Sequence, residues 1–187
     1  MRRRFAVLMM LLPMLLCSCG AKNDELQTAL DFRAALLEAG GCSFTADVEA
    51  DYGDRLYDFT LSCSYDGDDG SLTVTAPESI AGISAVVRDG TSVLEFDGAA
   101  LEFGPLANGF PSPLVLPWLL GSAWSEDYIA RAGMDGDRVM VTWLKGYNDE
   151  ELTIQTWFTR QIPVRVEVVS AGRRVLTAEL DDFSLNK

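Results

Sequence analysis

Four cysteines, 28 acidic residues and no histidine make up the reactive inventory of this 187-residue chain. The absence of histidine removes the commonest general base near neutral pH and the commonest metal ligand. Most carboxylates fall in turn-like segments or at alternate positions of strand-like ones, where water is their simplest partner. Asp66-Gly-Asp-Asp-Gly70 offers oxygen donors of the kind a calcium loop uses, but it lacks the other ligand positions and the distal glutamate. Asp and Gly are ordinary turn formers, and a turn is the simpler reading there and at Asp135-Gly136-Asp137. What remains is thiol chemistry: acylation at Cys19, which ends a small-residue segment, and oxidation of Cys42 with Cys63. No catalytic residue, metal ligand or cofactor site is expected.

The segment that would deliver Cys19 to a membrane is legible. Arg2, Arg3 and Arg4 precede the apolar run Phe5 to Leu16, and small residues follow, which is the pattern of a secretory signal peptide. The run is well short of the roughly 20 residues a membrane-spanning helix needs. Leu16-Cys17-Ser18-Cys19 resembles the lipobox of bacterial lipoproteins. Residues 1–18 are therefore expected to be removed, Cys19 to carry lipid, and residues 19–22 to form a short tether. The plainer alternative is an ordinary signal peptide with incidental cysteines. Two or more acyl chains, at about 0.8 kcal/mol per buried methylene, make a stable anchor.

Cleavage leaves residues 19–187, and beyond the tether residues 23–187 have the length of one domain. It removes three of the 15 basic residues and no acidic ones, taking the net charge from −13 to −16. So acidic a domain repels nucleic acid and anionic headgroups, and a nucleic-acid partner is excluded by the lack of a basic patch.

The elements follow from periodicity. Asp24 to Ala39 reads as an amphipathic helix, with Asp24 and Gln27 at capping-box spacing, Gly40 as its C-cap, and Leu26, Leu30, Arg33 and Leu37 on one face beside Ala29 and Leu36. The period then becomes two: Cys42, Phe44, Ala46, Val48 and Ala50 alternate with polar residues, and Tyr57, Phe59, Leu61, Cys63 and Tyr65 do the same. Leu72, Val74 and Ala76 continue the pattern after a turn at residues 66–70, and shorter strands fit residues 83–88, 92–96 and 100–103. Ser112-Pro113 opens the apolar segment Leu114 to Leu120, with Pro117 kinking the helix or starting a second one. Strand patterns resume at 138–144, 151–158, 163–170 and 174–183. The set predicts an antiparallel meander interrupted by a helical segment.

A two-residue loop at Tyr52-Gly53 between the first two strands would place Cys42 opposite Cys63 on the apolar face. Directly opposed residues of a non-hydrogen-bonded pair have Cα atoms about 4.5 Å apart, within reach of a disulfide. Free buried thiols are the alternative, as a bulge in the pairing would produce.

The order of helix, long meander, central helical insertion and final strands resembles the LolA/LolB superfamily of lipoprotein carriers. The matching features are Phe44-Thr-Ala-Asp-Val48 after the helix, Thr75-Ala-Pro77 ending an early strand, Asp89-Gly90 before Leu94, and Trp157, Ile162-Pro163 and Arg165 near the end. The resemblance implies an α+β fold: a strongly curved antiparallel sheet, or half-barrel, with an N-terminal helix and a central helical lid over an apolar cavity. It also implies a cavity lined by Phe44, Val48, Phe59, Leu61, Val74, Leu116, Trp118 and Leu119. Two departures limit it. That family's travelling carrier is soluble, whereas this chain reads as anchored, and Glu78-Ser-Ile-Ala-Gly82 holds no arginine where the carrier places one after the proline.

The expected function is therefore that of an extracytoplasmic, lipid-anchored, non-catalytic protein that takes an acyl chain, a lipid or a lipoprotein segment in its concave face. Plasma-membrane and outer-membrane anchoring are both left open. The alternative is an envelope sensor or regulator of the same fold, acting through another envelope protein, with the interior merely core; an anchored hydrolase using a carboxylate pair is a third. The 114–124 segment and Trp118, Trp124, Trp143 and Trp157 fit either a ligand-lined cavity or an ordinary core.

Overall fold

The computed structural model describes residues 24–88, 91–96, 99–103, 106–107, 110–146 and 152–187. The cleavage, lipidation and tether positions, and Asp89-Gly90, lie outside the described residues. Helix α1 (Asp24–Ala39) is followed by β1 (Cys42–Asp51), β2 (Leu56–Tyr65), β3 (Gly70–Ala76), β4 (Ser84–Arg88), β5 (Thr91–Phe96) and β6 (Ala99–Phe103). A short pair, β7 (Leu106–Ala107) and β8 (Phe110–Pro111), leads to a 3-10 turn at Pro113–Val115 and to helix α2 (Leu116–Glu126). The chain ends in β9 (Tyr128–Asp135), β10 (Arg138–Lys145), β11 (Leu152–Thr159), β12 (Ile162–Ser170) and β13 (Arg173–Leu185).

Eleven strands form one open sheet in the order β6-β5-β4-β3-β2-β1-β13-β12-β11-β10-β9. The first and last long strands pair at its centre, with Ala46 opposite Leu180, and a meander runs outward from each. Neighbouring strands are antiparallel throughout. Both helices pack on the apolar face, so the architecture is the α+β half-barrel with a central helix that the order of elements implied.

Strand β1 shows why one face is inside: Cys42, Phe44, Ala46, Val48 and Ala50 are all buried, while the intervening Asp47 and Glu49 are exposed. In β2 the same alternation fades toward the strand's start, from buried Leu61, Cys63 and Tyr65 to half-buried Phe59 and exposed Tyr57. Coverage of the apolar face is complete along β1 and thins at the start of β2.

The β1–β2 register corrects the expected bridge. Asp51 pairs with Leu56, so the loop spans Tyr52 to Arg55 and is two residues longer than expected. The Asp51 carboxylate sets that length: its Oδ1 accepts from Gly53 N at 2.7 Å and from Arg173 Nη2 at 2.5 Å, and Gly53 sits at φ +97°, where a β-carbon is disfavoured. Cys42 consequently faces Tyr65, and Cys63 faces Phe44. A shift of two residues keeps every side chain on its own face, which is why the inward residues were legible although the pairing was not. The cysteines become diagonal neighbours, roughly 7–8 Å apart, beyond bridging range. Both thiols are free and buried, and burial pushes each up to about 12. Unfolding the chain without reductant should therefore expose both to alkylation, while the folded chain resists it; a mass showing neither modified after unfolding would restore the bridge.

In α1 the buried stripe is Ala29, Phe32 and Leu36, whereas Leu30 and Leu37, expected inside, are 43% and 59% exposed. Phe32 decides the rotation, meeting Trp124, Phe158 and Phe183 at ring-centroid distances of 5.5, 5.0 and 5.8 Å. Gln27 donates to Asp31 at 2.7 Å rather than reaching back to the helix start, and Gly40 at φ +68° ends the helix as expected. Strand β9 had no clear signal in the sequence: its residues alternate poorly in burial, as suits an edge strand with Tyr128 largely in solvent.

Candidate functional site

Helix α2 enters through a defined start. The Ser112 hydroxyl accepts from Leu114 N at 3.2 Å, Pro113 opens the 3-10 turn, and Pro117 stands in the first turn of α2, where its missing N–H costs nothing. Pro117 thus begins the α-helix rather than kinking it. The helix then descends onto β2 and β3 at backbone distance. A β-carbon on Gly70 would lie 2.3 Å from Trp118 N, and one on Gly121 would lie 2.2 Å from the Tyr65 ring.

Its far end is clamped by two cations. Arg33 of α1 donates from Nε to the Trp124 carbonyl at 2.8 Å and from Nη2 to the Asp127 carbonyl at 2.5 Å, lying over the Trp143 ring at 4.9 Å. It satisfies carbonyls at the helix C-terminus and complements the dipole there. Lys145 of β10 donates to Ser122 Oγ at 2.9 Å, sits 3.5 Å from Asp127 Oδ2 and lies 4.9 Å from the Trp118 ring centroid. Asp127 Oδ2 is buried without a well-formed hydrogen bond, and desolvation raises its carboxyl above the usual value despite Lys145. A raised folded-state value means that the charged form costs stability above it, and the cost is relieved as pH falls through it toward the unfolded value of about 3.9. The urea midpoint of the wild type should therefore rise relative to that of Asp127→Asn as pH is lowered from neutral toward that value; a constant difference would show that Asp127 is not strained.

This packing distributes the residues expected to line one cavity. Phe44, Val48, Leu61, Leu116 and Leu119 are each at most 3% exposed and belong to the filled core between sheet and helices. Trp118 is half-buried and borders a different cleft of about 750 Å³, a polar one bounded by Asp68, Asp69, Arg88 and Glu126, in which Arg88 and Asp69 are paired with each other. A further cleft of about 730 Å³ lies between Leu26 and Leu30 of α1 and the start of β9.

Phe59 and Val74 line a third space, an apolar groove of about 350 Å³ beside the start of β2. One wall is an aromatic run from the β1–β2 hairpin: Tyr52 and Tyr57 have centroids 6.0 Å apart, and Tyr57 stacks on Phe59 at 6.2 Å with a 20° interplanar angle. Opposite stand Pro113 and Leu114 at the start of the lid, and Ile80, Ile83 and Leu94 close the floor and side. Burial drives the Tyr52 hydroxyl up to about 12, so it stays neutral. The volume lies within the range of small-molecule sites, and the lining is of the apolar, aromatic kind such sites use. Among the described residues no group of acidic or cysteine side chains is placed to hold a metal ion. The groove offers a place for an apolar chain and no assembled acid, base or nucleophile.

Of the residues expected to line one cavity, Phe59 and Val74 border this groove; Ile80, Ile83 and Leu114, which also border it, were not among them. Ile80 ends a 3-10 turn with no period of its own, and Ile83, read as the first residue of a short strand, was not singled out from it. Leu114 was read with the lid but not singled out from it.

No family model and no curated protein sequence matches the chain. Among solved structures it is similar to a LolA superfamily protein from Nitrosomonas europaea, at 9% identity over 86% of this chain and 94% of that one, with a TM-score of 0.45. It is also similar to LprF from Mycobacterium bovis, at 15% identity over 88% and 96% with a TM-score of 0.39. A third is the Mycobacterium tuberculosis lipoprotein LppX, at 10% identity over 86% and 93% with a TM-score of 0.37. At these scores none of them bears on the chemistry of the groove, which rests on this chain's own residues.

Proposed function

We propose that the chain is an exported, non-catalytic binding protein, cut before Cys19, held at the cell envelope by lipid on that cysteine, and carrying in residues 23–187 one domain that accommodates a single acyl chain or a similarly slim apolar segment. The observation that supports binding most is the groove between Tyr57 and Phe59 on one side and Pro113 and Leu114 on the other: apolar, about 350 Å³, and placed where coverage thins at the start of β2. Its size favours one chain over a whole multi-chain lipid, because the rest of the concave face is occupied by α1 and α2. The anchor is supported by the order Arg2-Arg-Arg4, apolar run, Leu16-Cys17-Ser18-Cys19. With only residues 20–23 between Cys19 and α1, at about 3.5 Å per residue, the domain stays within a few nanometres of the bilayer.

The second reading, a sensor or regulator acting through another envelope protein, is favoured by that same filled interior and by the exposed Leu30 and Leu37 on α1. Uptake of a fluorescent fatty acid separates the two, since only the first reading requires it. Cys19→Ala should abolish fatty-acid labelling in cells and move the chain to the soluble fraction while leaving uptake by the purified protein unchanged. Persistent labelling of that variant contradicts the anchor, and absence of uptake by the wild type favours the second reading.

A further inference from the structure

We infer that the groove selects a single-chain amphiphile with an anionic head, and that Arg55 is the group that recognises the head; this rests on the acyl-chain reading and adds the ligand's chemical class to it. Arg55 closes the β1–β2 loop, its carbonyl accepting from Tyr52 N at 3.0 Å. It lies two positions before Tyr57 and four before Phe59, so the period of two aims it to the concave side, along the wall of the groove. Its guanidinium Nη1 donates to the Tyr57 hydroxyl at 3.4 Å, and Tyr57 is itself a lining residue. The charge therefore stands at the rim, one side chain from the apolar space.

Arg55 is also uncommitted. Among the described residues no carboxylate lies within ion-pair distance of it, whereas Arg88, Arg165, Arg173 and Arg174 each pair with an acidic side chain. Asp51, in the same hairpin, is taken by Arg173 and by Gly53 N. The Tyr57 hydroxyl uses one edge of the fork, and the remaining N–H donors of an exposed, always-charged group are left for a planar or tetrahedral anion. In a chain with a net charge of −13, an unpaired arginine at the mouth of an apolar groove is the local feature that makes an anionic head welcome there. A carboxylate and a phosphate monoester share the required chemistry.

Native mass spectrometry of the processed full chain, released from micelles of a neutral detergent, tests this with three probes of one chain length: palmitate, hexadecyl phosphate and hexadecan-1-ol. The wild type should retain at least one of the two anionic probes about tenfold better than the alcohol, and which one it prefers identifies the head. Arg55→Gln, a change in an exposed loop, should bring the anionic probes down to the level of the alcohol while leaving the alcohol adduct unchanged. Equal retention of all three probes by the wild type, or a preference that survives Arg55→Gln, overturns the head-group assignment and leaves the groove reading standing. No adduct of any probe overturns both.

Discussion

Trp124→Ala should cost about 4 kcal/mol of unfolding free energy, the largest stability loss expected from a single substitution in α2. The ring is fully buried at the centre of the domain, edge-on to Phe32 at 5.5 Å and to Phe183 at 6.2 Å and tilted against Phe44 at 6.1 Å. Those rings belong to α1, β13 and β1, so one side chain ties both helices to the two central strands. Removing a buried tryptophan loses its transfer free energy and leaves a void that its neighbours fill only in part, at about 3–5 kcal/mol. The indole Nε1 also donates to buried Thr156 Oγ1 at 3.0 Å, and the orphaned hydroxyl adds to the loss. Trp118→Ala, six residues earlier, should cost only about 1–2 kcal/mol, because that ring is half-buried and loses partial packing against the core together with its contact with Lys145. Trp118 does not line the apolar groove, so its removal should leave fatty-acid uptake unchanged. Urea unfolding of both variants measures the difference, and equal losses would show that α2 is not docked as described.

Leu114→Asp should have the opposite profile, weakening acyl-chain binding by about 100-fold with little loss of fold. Leu114 is half-buried, and its side chain forms part of the groove wall, while the Ser112 cap that starts the turn uses only the Leu114 backbone N–H. A carboxylate at that point must lose water to an apolar chain, and about 3 kcal/mol of unfavourable desolvation corresponds to that factor in affinity. Leu37→Asp, on the exposed face of α1 and remote from the groove lining, is the matched control and should bind as the wild type does. Titration of a fluorescent fatty acid against the three proteins, with far-UV dichroism to confirm folding, gives the result directly. Equal affinities for wild type and Leu114→Asp would remove the start of the lid from the site.

Strand faces were readable because a period of two is a property of the chain itself: the five inward residues of β1 are buried as their alternation implied. Pairing between strands is not such a property. It depended on how many residues the Asp51 carboxylate and Gly53 draw into one loop, and that loop moved Cys63 from opposite Cys42 to opposite Phe44. The face of α1 was misjudged for a related reason. Leucines recur at positions 26, 30 and 37, but the stripe that turns inward is the one carrying Phe32, whose partners Trp124, Phe158 and Phe183 come from distant parts of the sequence. The site was half legible. Phe59 and Val74 follow from alternation, whereas Ile80, Ile83 and Leu114 reach the groove only because α2 fills the rest of the concave face and leaves an apolar space beside the start of β2. How far a helix sinks into a curved sheet is set by Gly70 and Gly121, at which even one β-carbon would strike Trp118 or Tyr65, and no periodicity reports that depth.

The central claim is that a single apolar chain occupies the groove between the β1–β2 hairpin and the start of the lid. Photo-crosslinking of a diazirine-bearing fatty acid to the processed full chain in zwitterionic vesicles, followed by peptide mapping, tests it most directly. Label concentrated on the peptides that carry Tyr57 with Phe59 and Pro113 with Leu114, and competed away by unlabelled fatty acid, is the predicted result. Label centred on Leu26, Leu30 and Tyr128, or spread over the surface and insensitive to competitor, would contradict it.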